Sequence, residues 1–281
     1  MILPRKNFSL TEQNNFSRKS KAKGFSLLEM IGVLAVMAIF AGALAPSVFQ
    51  MIEESYQGAE AQSVNTVAQA LQDYARYTKS IPAAKSSKWP TAVADYAGLS
   101  PNRVLKNDKN FERKLFIDPD FLAGGGSGGS SIFYSQDQGL DTMPSSPRIM
   151  LVSNLEGKIK PKLKSASDFD DVWNQTADSK IVESKTLFVE RINLAPLFMR
   201  VVLSNANTSQ AGYLLESGTE ASVAAASGGS DGVRTIFVLA GSKLSLRAAP
   251  YPGGTTQRQL IVDQDMSLRF EIGGSGWYWA G

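Results

Sequence analysis

One carboxylate stands inside the most apolar stretch of the sequence. From Phe25 to Phe49, Glu29 is the single charged side chain, and from Ile31 to Ala45 no side chain is charged or strongly polar. A carboxylate near the start of an apolar helix costs at least about 2 kcal/mol in lipid unless it has a partner. Glu29 therefore either lies at the headgroup boundary or pairs with a positively charged group.

The residue types that most often catalyse reactions are missing from this chain. Its 281 residues include no histidine and no cysteine, which removes the commonest general base, thiol nucleophiles, and imidazole and thiolate metal ligands. No arrangement of serine, lysine or carboxylate indicates catalysis. We therefore predict a protein that is not an enzyme, with no catalytic residue, no cofactor and no metal site.

Three segments could nevertheless bind ions. Carboxylates cluster in residues 168–171 and 263–265 and could bind calcium, but neither segment has the spacing of a calcium loop, so a helix start and a turn are the simpler interpretation. Four lysines alternate along one further segment: Lys158, Lys160, Lys162 and Lys164. In an extended chain they share one side, which could contact DNA phosphates or an anionic surface, or could protect an edge strand; we favour the edge strand.

The charge of the chain is concentrated at its N-terminus. The whole sequence carries +3 (29 basic, 26 acidic), whereas residues 1–24 carry +5 (six basic, one acidic), which leaves −2 for residues 25–281. A chain that is nearly neutral after residue 24 has no bulk attraction for polyanions. Nucleic-acid binding is therefore not indicated.

The apolar stretch is long enough to cross a membrane. Twenty-five helical residues span roughly 37 Å, against a hydrocarbon core of about 30 Å. The basic residues before the span, with Glu53 and Glu54 after it, orient the N-terminus towards the cytoplasm. A secretory signal peptide cleaved within residues 41–45 and an uncleaved single-pass anchor are two further interpretations.

The start of the apolar stretch resembles a known processing site. Residues 23–31 read Lys-Gly-Phe-Ser-Leu-Leu-Glu-Met-Ile, and this segment resembles the prepilin cleavage and methylation motif of type IV pilins and type II secretion pseudopilins. Pro46 matches the proline that the family has inside its apolar helix. The resemblance covers the first fifty to eighty residues of the chain.

The resemblance implies a processing and assembly pathway. A prepilin peptidase would cut after Gly24 and methylate the new amine of Phe25, and that amine would pair with Glu29 of an adjacent subunit to fix the register. Pro46 would kink the helix. The implied partners are the peptidase, an inner-membrane assembly platform, and other pilin or pseudopilin subunits.

The remaining sequence predicts a long N-terminal helix followed by short strands that favour an antiparallel sheet, with an enlarged β-rich C-terminal region. The pilin resemblance implies that the helix packs on this β-sheet head, which makes the fold α+β. The helix continues amphipathically to about Lys79, with one apolar stripe and with polar residues, Glu60 among them, on its other faces. Short helices are predicted at residues 89–98 and 168–175. Strands are predicted at residues 148–153, 186–192, 198–204, 212–216, 234–240, 244–248, 259–263 and 267–272. The aromatic residues 277–279 form either an exposed adhesive patch or a last strand that docks into the core, and we favour the strand.

These patterns divide the chain into five segments. They are a cleaved basic leader (1–24), a transmembrane half-helix (25–49), an amphipathic half-helix (50–80), an irregular and partly helical connection with a Gly/Ser loop at 124–131 (81–146), and a β-rich head (147–281). We expect a pilin, minor pilin or pseudopilin that spans the inner membrane once, with its head in the periplasm, and then enters a pilus or pseudopilus. The alternative is a membrane-anchored adhesive protein whose head recognises a surface, a sugar or DNA.

Overall fold

The computed structural model describes residues 26–85, 87–121, 132–160, 163, 165–216, 218–248, 255–272 and 275–279. The chain forms two compact units, Met1–Ile52 and Glu53–Gly281. The helices are α1 (Leu27–Thr78), α2 (Trp89–Ala97), α3 (Pro101–Leu105) and α4 (Ala166–Asn174), with a 3₁₀ turn at Ala195–Leu197. The strands are β1 (Ser80–Pro82), β2 (Lys114–Ile117), β3 (Ile132–Ser135), β4 (Arg148–Asn154), β5 (Leu187–Asn193), β6 (Phe198–Asn205), β7 (Ala211–Leu215), β8 (Glu220–Val223), β9 (Gly232–Leu239), β10 (Ser242–Arg247), β11 (Thr256–Val262), β12 (Met266–Ile272) and β13 (Ser275–Trp279).

The second half of α1 buries one face in the larger unit. Its buried residues recur at helical spacing: Glu60, Val64, Val67, Ala68, Ala70, Leu71 and Ala75. The apolar stripe predicted from the sequence includes Tyr56, but Tyr56 is exposed and Glu60 is buried, so the buried face is turned slightly from the predicted one. The prediction that Glu60 lies on a polar outer face was wrong, since a buried arginine pairs with it.

A lysine closes the end of α1. Lys79 has a positive φ of 53°, in the left-handed region that helix ends favour. Its ammonium donates to the carbonyls of Arg76 and, at 2.7 Å, of Ala240. Burial lowers the pKa of Lys79, against the opposing attraction of Glu216. This side chain therefore ties the last turn of α1 to the turn between β9 and β10.

A three-stranded antiparallel sheet, in the order β2-β4-β5, is covered on both faces. Ile149 and Leu151 of β4 join the cluster that contains the buried side chains of α1 and α2. Met150 and Val152 alternate with them and pack with α4. Burial on both faces explains why β4 is continuously apolar in sequence instead of alternating.

The short helices α2 and α4 begin and end at the capping residues that their sequences contain. α2 begins at Trp89-Pro90 and ends at Gly98, which has a left-handed φ of 63°. α4 begins after Ser165, whose hydroxyl accepts from the amide N–H of Asp168 at 3.1 Å. Both helices lie within one or two residues of the predicted segments.

The C-terminal part of the larger unit is a β-sandwich. Sheets of order β11-β10-β7-β8 and β13-β12-β6-β9 enclose a separate apolar core. Within the described residues, β6 and β12 are the one parallel pair, and all other paired strands are antiparallel. The preceding strand β11 belongs to the opposite sheet, so β12 is not constrained by a hairpin and can enter beside β6 in the same direction. The α+β prediction, with a β-rich C-terminal region, is confirmed.

All nine predicted strands are present, with shifts of a few residues at their ends. The pattern missed four others: β1, β2, β3 and β8. These strands have three or four residues, too few for a clear alternation. The segment expected to be irregular, 81–146, thus contains β2 and β3 as well as α2 and α3. The predicted Gly/Ser loop at 124–131 lies outside the described residues.

Candidate functional site

The start of α1 is closed by a reciprocal pair of hydrogen bonds. The amide N–H of Ser26 donates to Glu29 Oε2 at 3.1 Å, and the amide N–H of Glu29 donates to Ser26 Oγ at 3.2 Å. This is the capping box that a Ser-x-x-Glu sequence can form at a helix start. The residue spacing was visible in the sequence, but this use of Glu29 was not foreseen.

The first half of α1 exposes an almost wholly apolar surface. From Ser26 to Ile52 every residue is exposed except Ala45, which is half-buried. An 18-residue window of the helix has a mean hydropathy of 2.3, and none of this window is buried within the chain. Exposed apolar surface on this scale requires lipid or the apolar faces of other helices.

Pro46 lies inside α1. Proline has no amide hydrogen, so one backbone hydrogen bond of the helix is missing at this point. At the next residue, the Ser47 hydroxyl donates to the carbonyl of Leu44 at 2.8 Å. The kink at Pro46 stays a prediction, and the sequence-predicted processing residues Gly24 and Phe25 lie outside the described residues.

The acidic cluster of α4 points its carboxylates in three directions. Asp168 Oδ1 lies 2.6 Å from Lys180 Nζ, Asp170 Oδ1 lies 2.5 Å from Arg148 Nη2, and Asp171 Oδ1 accepts from the Thr176 hydroxyl at 2.8 Å. Separate partners occupy oxygens that a calcium ion would need to share. No group of three metal-ligating side chains occurs in the part of the chain that the structure describes.

The second acidic cluster and the lysine run also have local roles. Asp265 Oδ1 accepts from the amide N–H of Arg200 at 2.8 Å, which joins the turn before β12 to β6. Lys158 and Lys160 lie in an irregular segment after β4 and not in a strand. The edge-strand interpretation is therefore wrong for these two lysines, while Lys162 and Lys164 lie outside the described residues.

A buried ion pair joins the amphipathic half of α1 to the connection between α3 and β2. Arg113 Nε and Nη2 each lie 2.7 Å from an oxygen of Glu60, and both side chains are 2% exposed. Ser63 Oγ accepts from Nη2 at 2.9 Å. The other terminal nitrogen of Arg113 donates to three backbone carbonyls, those of Arg103, Val104 and Lys106. This guanidinium therefore has a partner for every donor group.

Comparison with known proteins identifies the N-terminal segment. Residues 19–45 match the family model described as the prokaryotic N-terminal methylation motif, which is the signature of type IV pilins and pseudopilins. No curated protein and no solved structure matches the chain. The chain therefore carries the pilin signature, and the motif and the apolar helix together fit a single-pass membrane-anchored protein.

Proposed function

We propose that this chain, which carries the pilin and pseudopilin signature, is a structural subunit of a pilus or secretion pseudopilus. The observation that carries the proposal is the coincidence of two features in one segment. The methylation motif at residues 19–45 overlaps the first half of α1, and that half exposes apolar side chains with Glu29 as its only charge. A surface of this kind suits first lipid and then a bundle of identical or related helices.

Processing would remove the basic leader. A prepilin peptidase cleaves after Gly24, where the absent side chain leaves the scissile bond accessible, and methylates the amine of Phe25. The leader carries +5, which favours its retention on the cytoplasmic side. The larger unit then lies in the periplasm until the subunit is extracted from the membrane by the assembly platform.

Assembly would satisfy Glu29 with a positive charge. The α-amine of Phe25 is protonated near neutral pH, and a neighbouring Glu29 carboxylate offers it an ion pair in an apolar surrounding. One oxygen of Glu29 accepts from Ser26, and a carboxylate has about four acceptor positions, so capping and pairing are compatible. Subunits out of register would bury an unpaired carboxylate, which is costly.

Two substitutions at one position separate the charge of Glu29 from its capping role. Glu29→Gln keeps a side chain that a capping box accepts but removes the charge, whereas Glu29→Ala removes both. We expect both variants to be cleaved after Gly24 and neither to enter filaments, measured by mass spectrometry of the membrane fraction and by immunoblotting of sheared filaments. Glu54→Gln, at an exposed position of the same helix, is the matched control and should assemble normally.

The pattern of incorporation decides the role of Glu29. Normal assembly of Glu29→Gln together with failure of Glu29→Ala would assign the residue to helix capping and refute the register role. Normal assembly of both variants would refute any role for this side chain in the filament.

A further inference from the structure

A lysine-lined pocket opens between two segments of the larger unit. The connection from α3 to β2 forms one wall and the chain after β4 forms the other, around a volume of about 510 Å³. Four lysines line it: Lys106, Lys114, Lys158 and Lys160. The volume is in the range of pockets that hold small organic ligands.

The pocket concentrates positive charge. Four lysines and one acidic residue, Glu112, line it. Lys114 donates to the carbonyl of Ile159 and so joins the two walls. In the described part of the chain, no carboxylate oxygen lies within 4.0 Å of the ammonium groups of the other three lysines. Within the described residues, no ion pair therefore occupies these three charges, which can attract an anion from solution.

The wall that carries Phe111 is held in a fixed shape. The amide N–H of Phe111 donates to Asn107 Oδ1 at 2.9 Å, and the amide N–H of Asn107 donates to the Phe111 carbonyl at 3.0 Å. Asn107 is buried, and its Nδ2 donates to the carbonyl of Asn154 at 2.9 Å, at the end of β4. Asn110 adopts a left-handed φ of 64° in the same turn. This wall is thus preformed by hydrogen bonds that do not involve the lysine side chains, and Lys114 joins it to the opposite wall.

We propose that this pocket binds an acidic saccharide. The lysines attract a carboxylate or sulfate group, Asn110 and Glu112 supply an amide and a carboxylate for sugar hydroxyls, and the half-exposed ring of Phe111 offers an apolar surface for a sugar ring. Glu112 would repel a purely anionic ligand but accepts hydrogen bonds from hydroxyl groups. The mixture of groups therefore suits a ligand with both hydroxyls and a negative charge.

The charge distribution favours a saccharide over nucleic acid. Binding to a nucleic-acid backbone uses a basic groove or track that neutralises successive phosphates. Here residues 25–281 carry −2 overall, and the positive charge is confined to one pocket. Saccharide binding at this site does not depend on filament assembly, so the two proposals fail independently.

Binding can be measured on the full chain in detergent micelles. The probes are an oligogalacturonate, a heparin oligosaccharide, a neutral oligogalactose and a DNA duplex, titrated by isothermal calorimetry at low and moderate salt. The variant Lys158→Gln/Lys160→Gln removes two exposed charges of the pocket. Lys185→Gln/Lys243→Gln removes two exposed charges elsewhere and is the matched control, with circular dichroism as the check of folding.

We expect at least one acidic glycan to bind and the neutral glycan not to bind. The pocket variant should raise Kd about tenfold, because each exposed ion pair contributes a few-fold, while the control variant stays within about twofold of the native chain. Phe111→Leu should weaken glycan binding without changing its dependence on salt. Absence of acidic-glycan binding at millimolar concentration, an equal loss in both lysine variants, or tighter binding of DNA than of either acidic glycan would overturn the proposal.

Discussion

The buried pair of Glu60 and Arg113 makes a strong prediction about stability. In Glu60→Gln the side chain keeps its shape, but the carboxylate that accepts from Arg113 Nε and Nη2 becomes an amide. Its NH₂ group then faces one of these N–H donors, so one of the two hydrogen bonds is replaced by a donor facing a donor. A buried positive charge remains without a negative partner.

The expected loss follows from this geometry. Breaking a buried ion pair by removing one partner costs about 3–5 kcal/mol, and we expect the lower end of this range because Arg113 retains Ser63 and three backbone carbonyls as acceptors. For a unit of roughly 230 residues, about 3 kcal/mol lowers Tm by about 6–12 °C. Glu54→Gln, at an exposed site, should change the free energy of unfolding by less than about 0.5 kcal/mol.

A double-mutant cycle tests the pairing itself. Arg113→Met should cost more than Glu60→Gln, since it leaves a buried carboxylate and also three carbonyls without their donor. Glu60→Leu/Arg113→Met removes both charges, so it should cost several kcal/mol less than the sum of the singles Glu60→Leu and Arg113→Met. The assay is urea unfolding of the full chain in detergent, followed by circular dichroism. A loss below about 1 kcal/mol for Glu60→Gln, or additive singles, would refute the assignment of a buried, coupled pair.

Two further predictions concern the β-sandwich. In Gly232→Ala the new Cβ would overlap the backbone carbonyl of Ala224, so we expect a loss of about 1–3 kcal/mol in the free energy of unfolding. The control is Gly58→Ala, at an exposed position of α1 where a Cβ meets open space. This variant should raise the free energy of unfolding by up to about 1 kcal/mol. Burial raises the pKa of Tyr213 from 10.0 to about 12, so above pH 10 the unfolded chain loses this proton while the folded chain keeps it. Stability should therefore fall as pH rises from about 10 to about 12, and Tyr213→Phe should make this fall smaller by on the order of 2 kcal/mol.

Each of these two predictions, for Gly232 and for Tyr213, has an outcome that would contradict it. Equal effects of Gly232→Ala and Gly58→Ala on stability would show that the close backbone approach at Gly232 does not constrain the sandwich. Tyr213→Phe also removes the hydrogen bond to the Gln138 carbonyl, a cost present at every pH, so the comparison uses the difference in the free energy of unfolding between about pH 9 and about pH 12. An unchanged difference would contradict the raised pKa of Tyr213.

The sequence predicts best those features that local residues determine. The processing motif, the apolar helix, and the helices capped at Gly98 and Ser165 depend on residues a few positions apart. Seven of the eight strands of the sandwich could be located because alternating apolar residues and turn residues mark them, whereas β8, with four residues, is too short for a clear alternation. Their order could not, since the parallel contact of β6 and β12 joins segments sixty residues apart and leaves no local signal.

The site residues that could not be predicted from the sequence owe their burial or their position to partners far along the chain. Glu60 looks like a solvated charge on a helix, and only the approach of Arg113, 53 positions later, makes its burial favourable. The lysine pocket joins residues near 110 to residues near 159 through the contact of Lys114 with the Ile159 carbonyl. The capping box is different: Ser26 and Glu29 have the spacing of this motif, so it could have been predicted.

The proposed function requires that this chain is made as a prepilin and is cut after Gly24 before assembly. The most direct test is mass spectrometry of the intact protein and of its N-terminal peptide, isolated from its native membrane. A chain that begins at Phe25 with a methylated amine is the predicted result. A chain that begins at Met1, as an uncleaved anchor would, or near Pro46, as an exported soluble protein would, contradicts the account.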